Sequence, residues 1–310
     1  MDFLWLIVGL TVLIFSGDYL VKGAVGVAEK FKISPLVIGM TVVSFGTSAP
    51  ELFVSIKAAY DGSPDLAIGN VIGSNIANIA LVLSITVLIF PIIVDRNSKI
   101  VDWPMMMFSS ILFYVFSLDN VISPLEGGIM VAILLIFTFL LIRNSRKLNL
   151  NLDDDIDGTP ANMWLTTLYL LGGLVGLKFG ADWFVEGAKG VAKSFGMSDK
   201  VIGVTIVAFG TSVPELVASG VAAFRKQTDI SLGNLVGSNI FNIMIVIGIT
   251  SLIMPIQVAE SVMSFDMYWM LGIAVALYPM MFIGKKMGRI HGLILLSAYV
   301  TYIVLCVQSI

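Results

Sequence analysis

VIGMTVVSFGTSAPEL, residues 37–52, is almost wholly apolar, yet it carries a carboxylate (Glu51), two adjacent hydroxyls (Thr47 and Ser48) and a proline (Pro50). The arrangement returns at 201–216 as VIGVTIVAFGTSVPEL, with Glu215, Thr211, Ser212 and Pro214. Sliding the chain by 164 residues lays Ser16–Val94 on Gly180–Val258 without a gap, and about 41 of the 79 paired positions are identical. A second pair of segments, GNVIGSNIANI (69–79) and GNLVGSNIFNI (233–243), falls inside the same match. One element is written twice.

Composition identifies the solvent of that element. Of 310 residues, 57% are hydrophobic and only 13% are charged, against about 25% charged in an ordinary soluble domain. Apolar runs of some twenty residues recur, each able to cross a hydrocarbon layer of about 30 Å at about 1.5 Å per residue. The sequence predicts spans at 3–27, 36–60, 65–89, 101–117 and 127–142, then at 163–191, 201–224, 230–253, 265–283 and 292–307. The opening MDFLWLIVGL has no basic flank and runs long, so it reads as a membrane helix rather than a leader. The expected fold is an all-α polytopic membrane protein of ten helices.

Loop charges predict its orientation. With alternate crossings, Lys30, Lys32, Arg96, Lys99, Arg143, Arg146, Lys147, Arg225, Lys226, Lys285, Lys286 and Arg289 collect on one side. The other side has Lys57, Lys189, Lys193 and Lys200. The richer side is cytoplasmic by the positive-inside rule, which puts the chain in the cell membrane with both termini outside. The polar, acidic segment 143–162 reads as a flexible cytoplasmic linker. It separates a first five-helix unit, 1–142 (motif 36–89), from a second, 163–310 (motif 200–253). Since five is odd, the second unit is inverted relative to the first, as in secondary transporters that bind substrate at the repeat interface.

Several function classes fall away. The net charge is −3 and the basic residues are scattered over loops, so there is no nucleic-acid footprint. Cys306 and His291 are the only residues of their kinds, which excludes an internal disulfide and a Cys- or His-based metal centre. An intramembrane protease needs a Ser–His or paired-Asp dyad, and His291 lies in a loop far along the chain from the buried serines. No cofactor and no obligate protein partner is indicated; the expected partners are ions and the bilayer.

The two glutamates fall near mid-membrane, where a charged side chain costs on the order of 2.5–3.5 kcal/mol. An alanine would pack at lower cost. Thr47 and Ser48 precede Glu51 by four and three residues, one face of a helix, and Thr211 and Ser212 precede Glu215 likewise. Pro50 and Pro214 free backbone carbonyls one turn earlier, and lining an ion site is one use for a freed carbonyl in lipid. Asn70, Ser74 and Asn78 are spaced every four residues on the next helix, matched by Asn234, Ser238 and Asn242. The interleaved glycine pairs, Gly69 with Gly73 and Gly233 with Gly237, permit close helix approach. Two carboxylates in a shell of neutral oxygens suit a hard cation such as Ca²⁺, with six to eight oxygen ligands; several Na⁺ ions fit the same shell.

GTSxPE followed by GNxxGSNxxN, present twice across nearly the whole chain, resembles the α-repeats of the sodium/calcium exchanger family within the calcium/cation antiporter superfamily. The resemblance implies ten helices, with helices 2, 3, 7 and 8 forming the ion-binding core and helices 1 and 6 sliding past it. It implies cation export driven by inward Na⁺ flux, with Glu51 and Glu215 as central ligands. Thr47, Ser48, Ser74 and Asn78 join them from one repeat and Thr211, Ser212, Ser238 and Asn242 from the other, with backbone oxygens of Ser44 and Ala208 outside. Potassium-dependent relatives carry aspartate at the positions of Asn242 and Glu215, which argues against potassium dependence here. Both glutamates can titrate, so H⁺ stays open as the coupling ion. A passive cation channel could use the same oxygens, but inverted repeats favour alternation over a pore. Asp18 and Asp182, also repeat-related, read as structural residues near helix ends.

Overall fold

The computed structural model describes residues 1–149, 162–197, 208–283 and 286–308. Helix α1 spans Asp2–Phe31. It is followed by α2 (Pro35–Thr47) and α3 (Ala49–Tyr60), which meet at a 42° bend. Then come α4 (Pro64–Ile89), α5 (Ser98–Phe116) and α6 (Pro124–Asn149). The second half contains α7 (Met163–Ser194), a single helical turn at Ala208–Gly210, and α8 (Val213–Phe224). It closes with α9 (Thr228–Ile253), α10 (Val262–Phe282) and α11 (Arg289–Gln308). Among the described residues eight helices are long and apolar enough to cross a membrane, and the bent pair α2–α3 makes a ninth. The span expected at 201–224 lies partly outside the described residues; its end is α8.

Local chemistry explains the breaks. The Ser34 hydroxyl accepts from the Val37 amide and Pro35 occupies the first turn, so α2 begins with a side-chain cap and a residue that needs no amide partner. Pro50 ends it from the other side: lacking an amide proton, it cannot extend a helix through Gly46, and the chain restarts at Ala49. Pro214 stands in the first turn of α8 in the same way. π-helical turns recur at the repeat spacing, at Asn78–Leu83 and Asn242–Ile247, and at Ser98–Asp102 and Val262–Asp266.

Helices α4 and α9 form the centre, with 72% and 78% of their apolar windows buried against 17% for α6. Around them Ile68, Ile76, Ile79, Leu235, Ile243 and Ile247 join residues of α5, α6, α10 and α11 in one apolar core. A separate core of Leu13, Leu20, Ala24, Leu177 and Ala181 ties α1 to α7, with Val37, Val213 and Ala218 beside it. Large apolar side chains such as Phe53, Phe139, Trp164 and Phe179 stay exposed, the surface that a polytopic protein offers to lipid.

Helices α1 and α7 run antiparallel at glycine contacts. A Cβ on Gly173 would lie 2.6 Å from the Leu20 amide nitrogen, and one on Gly23 would lie 2.6 Å from that of Leu170. Gly9 and Gly187, their equivalents at the 164-residue offset, lie against Phe184 and Leu6. Gly233 approaches Leu36, and Gly237 approaches Met40, as the sequence pattern predicts. The segment that would meet Gly69 and Gly73 by the same repeat, 200–204, lies outside the described residues.

Three features differ from the sequence reading. Helix α6 continues to Asn149, so the first residues of the segment read as linker, 143–149, are helical; 150–161 lie outside the described residues. Two antiparallel ladders of two residues were not expected: Ile92–Ile93 (β1) with Lys286–Met287 (β4), and Val121–Ile122 (β2) with Ile256–Gln257 (β3). No alternating pattern announces them, because pairs this short take their register from the helices that deliver them. Asp18 and Asp182 sit in mid-helix and not near an end, since both helices run longer than their most apolar stretch. Asp18 pairs with Lys22 at 2.8 Å and with Arg225 beyond α8, and Asp182 pairs with Lys178.

Gly173→Leu should drive α1 and α7 apart and lower the thermal stability of the detergent-solubilised protein. Gly172→Leu, where nothing lies within 4 Å, should change it little. Equal melting temperatures for the two variants would contradict the packing.

Candidate ion site at the centre of the helix bundle

Asn75 and Asn239, equivalent positions on α4 and α9, hold the two helices together by exchanging bonds. Asn75 Nδ2 donates to the Asn239 carbonyl (3.3 Å), and Asn239 Nδ2 donates to that of Asn75 (3.2 Å). Their side-chain oxygens are used as well: Asn78 Nδ2 donates to Asn239 Oδ1 and Asn242 Nδ2 to Asn75 Oδ1, each at 3.1 Å. This network assigns the amide orientations. It uses one N–H of each of Asn78 and Asn242 and, among the described residues, leaves their Oδ1 atoms buried without a partner.

A further layer locks the glutamate helices. Asn70 Nδ2 donates to Ser55 Oγ (3.0 Å) and to the Glu51 carbonyl (3.2 Å). On the other side, Asn234 Nδ2 donates to Ser219 Oγ at 3.0 Å. The Thr47 hydroxyl lies 3.2 Å from Asn234 Oδ1 and 3.4 Å from the Ser238 hydroxyl, so residues of the two halves meet directly. Ser44 has a single O–H, which is within bonding distance of two carbonyls, Gly39 (2.7 Å) and Asn234 (3.1 Å). Its own carbonyl accepts from the Ser48 amide and the Thr47 hydroxyl.

Glu51 and Glu215 are each 1% exposed, in the first turns of α3 and α8 immediately after the breaks. Helix N-termini favour negative charge, which lowers the cost of placing carboxylates there. The two groups are close enough to interact electrostatically, with Ser74 beside Glu51 and Thr47 beside Glu215. Among the described residues no donor makes a hydrogen bond of ordinary geometry to either carboxylate, although the Ser74 and Thr47 hydroxyls stand beside them, and the Ser48 and Ser212 hydroxyls are likewise buried and unpartnered. With Asn78 and Asn242 Oδ1, these make eight such oxygens in four repeat-related kinds. A buried polar atom left without a partner costs about 1–3 kcal/mol. Eight of them, related in pairs, are not accidents of packing.

The structure buries Glu51, Glu215, Thr47, Ser48, Ser74, Asn78, Ser238 and Asn242, with Thr47 meeting Ser238, Asn78 bonded to Asn239 and Asn242 bonded to Asn75. Ser212 is buried, Thr211 is half-buried, and Ala208 opens the turn before them, its side chain outside the described residues. The break at Ser48 means that Thr47, Ser48 and Glu51 are assembled by a bend and not by one continuous helical face. Sequence reasoning missed Asn75 and Asn239. Their signal was the doubled GSN: an asparagine beside the polar stripe, kept in both copies, asks for a partner. Among the described residues no group of three or more His, Cys, Asp or Glu gathers as a metal centre.

A bundle of long apolar helices with buried carboxylates and a shell of orphan oxygens is the arrangement of an ion transporter. The comparisons with known proteins agree. The family model described as sodium/calcium exchanger protein matches residues 1–143 and 165–308. The chain is 37% identical to the protein designated CaxA of Alkalimonas amylolytica, over 96% of each chain. It is 33% identical to the sodium/calcium exchanger MaX1 of Methanosarcina acetivorans, over 98% of this chain and 97% of that one. Among solved structures, the sodium–calcium exchanger NCX_Mj soaked with 10 mM Na⁺ and zero Ca²⁺ superposes with a TM-score of 0.85 at 34% identity, covering 98% of both chains. The chain belongs to the sodium/calcium exchanger family, and it is a multi-pass membrane transporter rather than an enzyme.

Asn75→Ala should remove the acceptor that holds Asn242 and destabilise the protein by about 1–3 kcal/mol. It should also weaken the response of the melting temperature to added Ca²⁺, because Asn242 is then free to turn. Unchanged melting with and without Ca²⁺ would remove Asn75 from the network.

Proposed function

We propose that this chain is a secondary-active antiporter that exports Ca²⁺ in exchange for Na⁺ by alternating access. Its ligands are Glu51 and Glu215, with Thr47, Ser48, Ser74, Asn78, Thr211, Ser212, Ser238 and Asn242, and backbone oxygens of Ser44 and Ala208. The observation that carries the reading is the repeat-related set of buried, unpartnered oxygens, which matches the six to eight oxygen ligands of Ca²⁺. One Ca²⁺ or two Na⁺ neutralise two carboxylates, and three Na⁺ leave one positive charge. The same bookkeeping makes exchange obligatory. A site with two unpaired carboxylates is costly to carry through the membrane, so the carrier turns over when loaded and returns when loaded.

The architecture that fits is ten helices in two inverted repeats, 1–142 and 163–310, joined through a cytoplasmic 143–162. Supporting it, the equivalent helices α1 and α7 run antiparallel, and the two short ladders join loops that alternate crossing places on opposite faces. The α1–α7 pair has an apolar core of its own, as a unit that slides past the centre needs. Accessibility of fluorescent or protease tags should place both termini outside and the linker inside; an external linker would overturn the topology.

H⁺ is a second coupling ion to test, because two neighbouring carboxyls can hold a proton between them. Ca²⁺ uptake into proteoliposomes, with Na⁺ and pH gradients imposed separately, assigns the driving ion, and uptake needing neither would point to a channel. Glu51→Gln and Glu215→Gln should each abolish exchange while the protein stays folded in the membrane. Near-normal transport by either would defeat the ligand assignment.

Asn242→Asp adds a charge among the same ligands and should change cation preference or the pH dependence of transport. Unaltered selectivity and pH profile in an active variant would place Asn242 outside the site.

A further inference from the structure

Lys178 lies at the middle of α7 in an otherwise apolar stretch. Facing lipid there, an ammonium costs on the order of 2.5–3.5 kcal/mol, so its surroundings decide its role. The side chain pairs with Asp182 one turn on. It also lines a narrow cleft with Gly46, Thr47, Pro50, Leu174 and Pro214. Of these, Gly46, Thr47 and Pro50 belong to the helix break before Glu51 and Pro214 to the one before Glu215. The lysine is also near enough for its charge to act on Glu51. Its equivalent at the repeat offset is Ile14, so a feature with no counterpart stands beside a symmetric centre.

A fixed cation whose field acts on a carboxylate that binds transported cations opposes their binding. We propose that Lys178 is a tethered cation at the mouth of the ion site, competing with Ca²⁺ and Na⁺ for Glu51, with Asp182 as the partner that draws it back. The pair sets the affinity of the centre without contributing a ligand. The proposal rests on the reading of Glu51 as an ion ligand.

The opposite signs of the two charges supply the test. Equilibrium ⁴⁵Ca²⁺ binding is measured on the purified protein, with Na⁺ competition, for wild type, Lys178→Met, Lys178→Arg and Asp182→Asn. Removing the competing cation should lower the Ca²⁺ dissociation constant about three- to tenfold, and removing its partner should raise it by a similar factor. Lys178→Arg should stay near wild type. If the pair only steadies α7, Lys178→Met and Asp182→Asn shift binding in the same direction or not at all, and the proposal is overturned. Transport by the same preparations in vesicles is read separately. Wild type that binds Ca²⁺ but does not exchange it sinks the antiport reading and leaves the Lys178 result standing. Wild type that binds neither ion overturns both.

Discussion

Backbone and side-chain polar groups in hydrocarbon must find partners within the protein, and the exchange of amide bonds between Asn75 and Asn239 answers that demand where it is most severe. Each asparagine donates to the other's carbonyl and accepts from the other half's Asn242 or Asn78. The remaining donor of each reaches a methionine sulfur, Met270 or Met106, again at equivalent places. Four side chains thereby fix the register of α4 on α9. That register places the glutamate-bearing helices α3 and α8, which pack against α4 and α9 and are held to them by Asn70 and Asn234.

The same network separates satisfied from unsatisfied atoms. Amide donors bind the two halves together while the oxygens of Asn78 and Asn242 are left over, a division that suits the cation-binding centre proposed here. A flexible shell would instead turn amide N–H groups inward and lose affinity to its own rearrangement. The π-helical turns that open at Asn78 and Asn242 belong to this logic, since such turns release backbone from regular bonding and cluster at functional sites.

Much of this was legible in the sequence because lipid makes polarity informative. In a soluble chain Thr47, Ser48 and Glu51 would be an ordinary helix start; within an apolar run they demand an explanation, and the second copy at 211–215 removes chance. Legibility ended where tertiary geometry decides. The doubled asparagine Asn75 could be noticed, but only the packing of α4 on α9 shows that it pairs with its own counterpart. The ladders at Ile92–Ile93 and Val121–Ile122 carry no strand pattern, since helix ends position them. Lys178 has no counterpart in the other repeat to mark it in the sequence, and only the cleft it lines singles it out. The close approach of α1 to α7 could not be predicted from glycines alone, because glycine is frequent in membrane helices whether or not a partner is near.

The symmetric and asymmetric parts of the molecule divide by position. The buried oxygens come in equivalent pairs, and so do Asp18 and Asp182, but the cations paired with those aspartates do not: Lys178 corresponds to Ile14, and Arg225, which holds Asp18, corresponds to Asp61. An exchanger at equilibrium requires no asymmetry for coupling, because the stoichiometry of the shared site alone fixes how far one gradient can drive another. Asymmetry can change only how readily each face loads at the ion concentrations it meets, since differential interaction with two states is the one means by which a group shifts a balance between them. A duplicated element supplies the site, and unmatched charges at its approaches are free to tune each face without altering what the site binds.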